Sequence, residues 1–295
     1  MKDFFKFTLA TITGIILTSI VMFVISIIVV FSMLSSTETE TVVKKNSIMM
    51  LDLNGSLVER TSDNIFKELF DKEDSTYGLD DILASIKKAK ENDDIKGIYI
   101  QATSLNANFA SLQEIRDALD DFKKSGKFIV AYSDNYTQGM YYLSSVANKV
   151  LLNPKGAIEW RGLASQPLFL KGLLEKLGIE MQVFRVGTYK AAVERFSATE
   201  MSPANREQVT AYITSIWNEI ITDVAASRKI SVDSLNNYAN RMLMFYPAEQ
   251  TVKSGMADTL IYKNDVRDYL KQLVKIDKDD DLAMLGLDEM INVKK

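Results

Sequence analysis

Residues 95–133 read IKGIYIQATSLNANFASLQEIRDALDDFKKSGKFIVAYS. IKGIYIQA is a short β-type run. FASLQEIRDALDDFKKSG places apolar residues at helical spacing, and Gly126 suits the left-handed cap that closes such a helix. KFIVAYS is a second β-type run. Near-continuous apolar strands joined by an amphipathic helix predict a parallel pair covered on both faces.

The alternation extends in both directions. SIMMLDLNG, from Ser47, predicts a strand ending in a turn. In YGLDDILASIKKAKEN the residues Leu79, Ile82, Leu83 and Ile86 mark a helix face. QGMYYLSSVA reads as helix, NKVLLNP as strand, ASQPLFLKGLLEKLG as helix and IEMQVFRVG, residues 179–187, as strand. The order predicts an α/β fold with a largely parallel sheet. Beyond Lys190, Ser202 suits an N-cap and Pro203 a first helical position, so a long helix is expected to follow. SVDSLNNYANRM predicts a helical turn, and YPAEQTVKSGMADTLIY a helix stopped by Gly255 and then a short strand. The stretch from Asp277 opens with an acidic cluster and reads as a linker, 277–295.

Composition narrows the chemistry. The 295 residues contain no His and no Cys. That excludes a Ser-His-Asp triad, a His-ligated zinc, a thiol nucleophile and a disulfide within the chain. Apolar residues make up 47%, enough for a sizeable core. The net charge of −4 gives no support to nucleic-acid binding, which usually needs a basic face. Neither GxxxxGK[ST] nor GxGxxG occurs.

Residues Thr8 to Met33 carry no charge, and about 20 apolar residues suffice to cross a bilayer. A cleaved signal peptide has an apolar region of only about 7–15 residues, so an uncleaved signal anchor is expected over 8–34. Lys2 and Lys6 precede it and favour an N-terminus inside. Residues 1–7 would then be cytoplasmic. SSTETETVVKK reads as a tether, residues 35–45, and the folded part is expected over 46–276.

Several groups invite a chemical reading. Asp80-Asp81, Asp93-Asp94 and Asp279 to Asp281 lack calcium-loop spacing, and helix first turns and solvated loops account for them. Trp160 and Trp217, with Tyr141 and Tyr142, could line a pocket, and core or helix packing is the plainer reading. Lys190, in VFRVGTYKAAVERF, stands where a helix begins. A helix N-terminus repels a cation, and burial would also favour neutral lysine, so the position permits a general base. A surface lysine that merely starts a helix is the plainer reading of the local residues.

VFRVGTYKAAVERF, MSPANREQ and NYTQGMYYLSSVANKVLLNPKGAIEWRGL closely resemble the long form of the SppA signal peptide peptidases, also called protease IV. The pattern runs in register from about Asn46 to Tyr262, and an N-terminal anchor belongs to that family. The resemblance implies a ClpP/crotonase-like α/β fold with flanking helices, and a membrane-bound serine protease that degrades cleaved signal peptides. The long form has two homologous halves. The first supplies the general-base lysine, which maps onto Lys190, and the second supplies the serine at a Ser-Gly-Gly-Tyr helix start. Here the matching stretch is YTQGMYY, which puts Gln138 where the serine would stand. IYIQATSLNANFAS also lacks the double glycine that helps form the family's oxyanion hole.

The resemblance therefore implies a first half whose serine lies in a further repeat. Expected partners are hydrophobic peptides, the lipid bilayer, the serine-bearing repeat and further copies in a homo-oligomer, with no nucleic acid. No metal or cofactor is expected. The implied location is the bacterial inner membrane, with the folded domain on the periplasmic side. Two other readings stay open: a noncatalytic membrane-anchored scaffold that binds peptides, and, from fold alone, an acyl-CoA enzyme of the crotonase type. Ser133, Ser144 and Ser145 lie near the implied catalytic region, but nothing in the sequence makes any of them a nucleophile.

Overall fold

The computed structural model of the chain describes residues 2–35, 40–61 and 76–294. Residues 36–39 of the expected tether lie outside the described residues. The chain divides into two compact units, Met1–Val42 with Asn292–Lys295, and Val43–Ile291.

The first unit is dominated by one helix, α1 (Lys2–Ser35). Its segment Asp3–Val29 has a mean hydropathy of 2.7, and none of it is buried. By length and composition this helix can cross a membrane. The hydroxyls of Thr8, Thr11, Thr13 and Thr18 donate to carbonyls four residues earlier at 2.8–2.9 Å. Ser26 does the same to Met22. These polar groups are thus satisfied without water, as a lipid environment requires.

The second unit opens with β1 (Ser47–Val58), β2 (Thr76–Gly78) and α2 (Leu79–Glu91). Next come β3 (Ile95–Asn106), α3 (Phe109–Lys123), β4 (Phe128–Ser133), α4 (Gln138–Ser144) and β5 (Lys149–Leu152). The chain then runs through α5 (Lys171–Lys176), a 3-10 turn at Ala191–Val193 and α6 (Glu194–Ser197). The last part holds α7 (Pro203–Arg228), α8 (Val232–Asn240), α9 (Ala248–Lys253), β6 (Thr259–Leu260), α10 (Lys263–Val274), β7 (Met284–Leu285) and α11 (Leu287–Ile291).

Among the described residues every strand pairing is parallel, in the order β2-β1-β3-β4-β5-β6, with β7 also on β1. The opening stretch behaves as its periodicity predicts. β3 pairs with β4 from Gly97–Phe128 to Gln101–Tyr132, and α3 connects them. Asn108 caps α3 by accepting from the Ser111 amide at 2.9 Å. Ile48, Tyr99, Val130, Tyr132 and Leu151 bury one sheet face against Val266, Leu270 and Val274 of α10. Met49 and Leu51 alternate with Ile48 and are also buried, so they belong to the opposite face. The helices α2 and α3 bury Ile82, Ile86, Leu112, Ile115, Leu119 and Phe122. Each such side chain contributes about 1.5–3 kcal/mol, which makes this two-sided burial the main stabilising term.

The structure departs from the sequence reading in four places. β1 does not turn at Gly55. It continues to Val58, with a register shift between Leu53 and Asn54 and with Gly55 at φ 137°. IEMQVFRVG is not a strand. Its alternation is β-like, but no sheet edge receives it, and Phe184 and Val186 remain 94% and 91% exposed. A strand needs a hydrogen-bonding neighbour as well as a period. The helix expected in ASQPLFLKGLLEKLG is confined to α5, since Pro167 keeps the preceding residue extended. The stretch expected as a linker carries β7 and α11, and Leu282, Leu285 and Met290 are buried. β7 docks Met284 and Leu285 against Ile48 and Met49.

Candidate active site

Lys190 sits on an arm that leaves the sheet after β5 and returns at α7. Gly187 adopts φ +100°, a left-handed turn that costs a side-chain-bearing residue dearly. Lys190 itself is the non-helical residue before the 3-10 turn, with φ −111° and ψ 67°. Its side chain is exposed. Together with Phe184, Val186, Tyr189, Ala191 and Gln208 it lines an open concavity of about 520 Å³. Among the described residues, none buries its ammonium.

A network of polar contacts holds the base of this arm. Glu194 is only 4% exposed. Its Oε1 accepts from Ser202 Oγ at 2.6 Å, and its Oε2 accepts from the Ser202 amide at 3.2 Å and Asn205 Nδ2 at 2.9 Å. Arg185 Nη1 reaches Glu194 Oε1 at 3.5 Å and the Lys190 carbonyl at 3.3 Å. The hydrogen bond from Ser202 is the main cause holding the Glu194 carboxyl below its ordinary range. Ser202 also caps α7, accepting from the Asn205 amide at 3.2 Å. Tyr189 donates to Glu207 at 3.1 Å, which pushes the phenol above its ordinary range.

Gln138 begins α4, after Thr137 as N-cap. Its Oε1 accepts from the amides of Arg161 and Gly162, both at 3.0 Å, and its Nε2 donates to the Gly162 carbonyl at 3.1 Å. The side chain is therefore spent on the backbone of the segment that starts the arm. Residues 161 and 162 line a separate concavity of about 220 Å³ with Trp217 and Asn236. Lys190 and the Gln138-bound segment thus line different concavities.

The nearby serines are inward. Ser133, Ser144 and Ser145 are at most 4% exposed. The Ser133 hydroxyl faces the Ala102 and Asn135 carbonyls. Ser145 donates to the Tyr142 carbonyl and accepts from Arg116, while the Ser144 hydroxyl is buried with no hydrogen-bond partner among the described residues. None is joined to Lys190 by a hydrogen bond among the described residues. Of the aromatic group, Trp160, Tyr141 and Tyr142 are buried packing residues, whereas Trp217 is half-buried and also lines the smaller concavity. Trp160 is fully buried, donates to the Leu235 carbonyl at 2.9 Å and packs 5.0 Å from Trp217 and 5.6 Å from Tyr141. Asp80 and Asp81 lie in the first turn of α2.

The sequence profile of peptidase family S49 matches residues 121–277, which include Gln138, Lys190, Glu194 and Ser202. The chain belongs to peptidase family S49. Protease 4 of Salmonella typhi is 36% identical over 217 residues, 70% of this chain and 34% of that protein. Protease 4 of Haemophilus influenzae is 30% identical over 75% of this chain and 37% of its own length. This S49 chain therefore spans about a third of the length of these two relatives. Among solved structures, a mutant of the 1510-N membrane-bound stomatin-specific protease overlaps it with a TM-score of 0.45 at 12% identity, covering 82% of this chain and 97% of that one. The ClpP catalytic domain from Plasmodium falciparum is another neighbour, with a TM-score of 0.38 at 12% identity, 72% of this chain and 85% of that one.

Glu194 is the site residue that sequence reasoning passed over. A signal was present: an acid four residues after Lys190 and eight before the Ser202 cap. What the sequence lacked was the fold-back that brings residues 194 and 202 together.

Proposed function

We propose that this chain is the membrane-anchored, base-supplying half of an SppA-type serine peptidase. The observation that carries this reading is the S49 match around Lys190, whose chain offers no serine at the implied nucleophile position because a hydrogen-bonded glutamine stands there. The nucleophile is then a serine on a second, homologous half. Apolar residues Phe184, Val186 and Tyr189 flank Lys190 and are exposed. Docking of the second half over them would bury the lysine, and desolvation favours the neutral amine that a base requires.

In this mechanism neutral Lys190 takes the serine hydroxyl proton as the oxygen attacks the scissile carbonyl. Backbone N–H groups of the other half stabilise the oxyanion. Collapse of the tetrahedral intermediate breaks the C–N bond, and Lys190 returns the proton to the leaving amine. It then activates water, which hydrolyses the acyl-enzyme. α1 anchors the site in the inner membrane with the folded unit on the periplasmic side, near cleaved signal peptides and other hydrophobic peptides. Further copies complete a homo-oligomer.

A mixing assay with a fluorogenic peptide ester tests this. The chain alone is expected to be inactive and the chain with a separately made serine-bearing half active. Lys190→Ala is expected to lower the rate at least about a hundredfold, in line with loss of a general base. Activity in the chain alone would overturn the reading of Gln138. Full activity of the Lys190→Ala mixture would remove the base role. An inactive wild-type mixture would favour the noncatalytic scaffold.

A further inference from the structure

The loop that carries Lys190 has few apolar anchors. Phe184 and Val186 are almost fully exposed and Tyr189 is half exposed. Ala192 is exposed, and Ala191 and Val193 are only partly covered. Gly187 adds backbone freedom at the turn. A segment of this kind is not fixed by burial, so its position must come from directed contacts. Tyr189 supplies one, to Glu207 of α7, and the others converge on one residue. Glu194 follows the loop, is nearly fully buried, and accepts from Ser202 Oγ, the Ser202 amide, Asn205 Nδ2 and Arg185 Nη1. Three of these donors belong to the cap and first turn of α7, where N–H groups lack intrahelical partners and the helix dipole favours a negative charge. The fourth, Arg185, also donates to the Lys190 carbonyl. The carboxylate therefore ties both ends of the loop to the start of the longest helix in the folded unit.

We infer that Glu194 is a positioning residue for Lys190, locking the 185–193 loop to the N-terminus of α7 and, through Arg185, holding the lysine backbone in place. The inference rests on the base role proposed for Lys190 and specifies what sets its position. A base must lie within hydrogen-bond reach of the proton it removes, and displacement by about 1 Å costs on the order of a hundredfold in rate. Loss of the anchor should thus reduce turnover without removing the lysine or the peptide contacts of the other half. Glutamine at this position keeps one acceptor oxygen for Ser202 Oγ and Arg185 but turns an amide donor toward the Ser202 amide and Asn205.

The test combines hydrogen exchange of the full chain with kinetics of the mixture containing the serine-bearing half. Wild type, Glu194→Gln and Glu194→Ala are compared, with Lys190→Ala as reference. In Glu194→Ala the amides of residues 187–193 should exchange at least about tenfold faster while those of β1, β3 and β4 keep their protection. In the mixture kcat should fall about tenfold or more with KM held within about twofold. Glu194→Gln should lie between wild type and alanine in both readouts, and it serves as the test if the alanine variant does not fold. Unchanged loop exchange, or exchange that rises equally in the sheet, would overturn the inference, as would a change in KM alone. The underlying reading fails separately. A loosened loop with full activity of Lys190→Ala would remove the base and leave the anchor. Inactive Lys190→Ala with unaltered Glu194 variants would remove the anchor and leave the base.

Discussion

Gln138 stands where the proposed mechanism would need a serine, and its side chain is engaged in structural hydrogen bonds. A serine there would carry a single hydroxyl, whereas the glutamine amide makes three hydrogen bonds to residues 161 and 162. Glutamine pairs an acceptor and a donor in one plane, so it matches the backbone of an adjacent segment. Gln138→Ala should lower stability by about 2 kcal/mol, because two backbone N–H groups in a partly buried site would lose their acceptor. The urea midpoint measures this, and a change below a few tenths of a kcal/mol would mean that water replaces the amide without loss. The glutamine was visible in the sequence as a missing serine. Its hydrogen bonds were not, because they reach residues more than twenty positions away.

Among the elements, α7 is the one on which the site depends. Ser202 and Pro203 announce its start in the sequence, and the structure places the cap where they predict it. The cap is shared, since Ser202 serves both Asn205 and Glu194. The Glu194 carboxyl has a depressed native value, so its contribution to stability is fully present above the unfolded carboxylate range. It is lost as pH falls through the depressed value. Carbon-13 NMR titration should therefore find Glu194 ionising at lower pH than exposed glutamates. Ser202→Ala should move that midpoint upward and cost about 1 kcal/mol for the lost cap. A midpoint unchanged by Ser202→Ala would mean that Asn205 and Arg185 alone hold the charge.

For the whole molecule, the two units rest on different physics. α1 buries nothing in itself and suits a solvent of lipid, whereas the unit Val43–Ile291 has a sheet covered on both faces. Removal of residues 1–42 should leave a unit that unfolds cooperatively, with a Tm within about 5 °C of the full chain, since about 1 kcal/mol corresponds to only a few degrees for a domain of this size. Thermal circular dichroism in mild detergent would measure it. A fall of about 15 °C or more would show that the anchor is part of the fold.

The sequence by itself determined the parallel α/β alternation, the apolar α1 and the capped α7. Each of these is written in local periodicity or in residue identity. Only the tertiary structure decided that residues 179–187 form no strand, because pairing requires an edge and none receives them. It alone placed Met284 and Leu285 beside Ile48 and Met49, a contact across most of the chain. It also turned Glu194 from one acid among many into the buried anchor of the Lys190 loop. Hydrogen-bond partners and burial are properties of residues brought together from distant positions, and no local pattern records them.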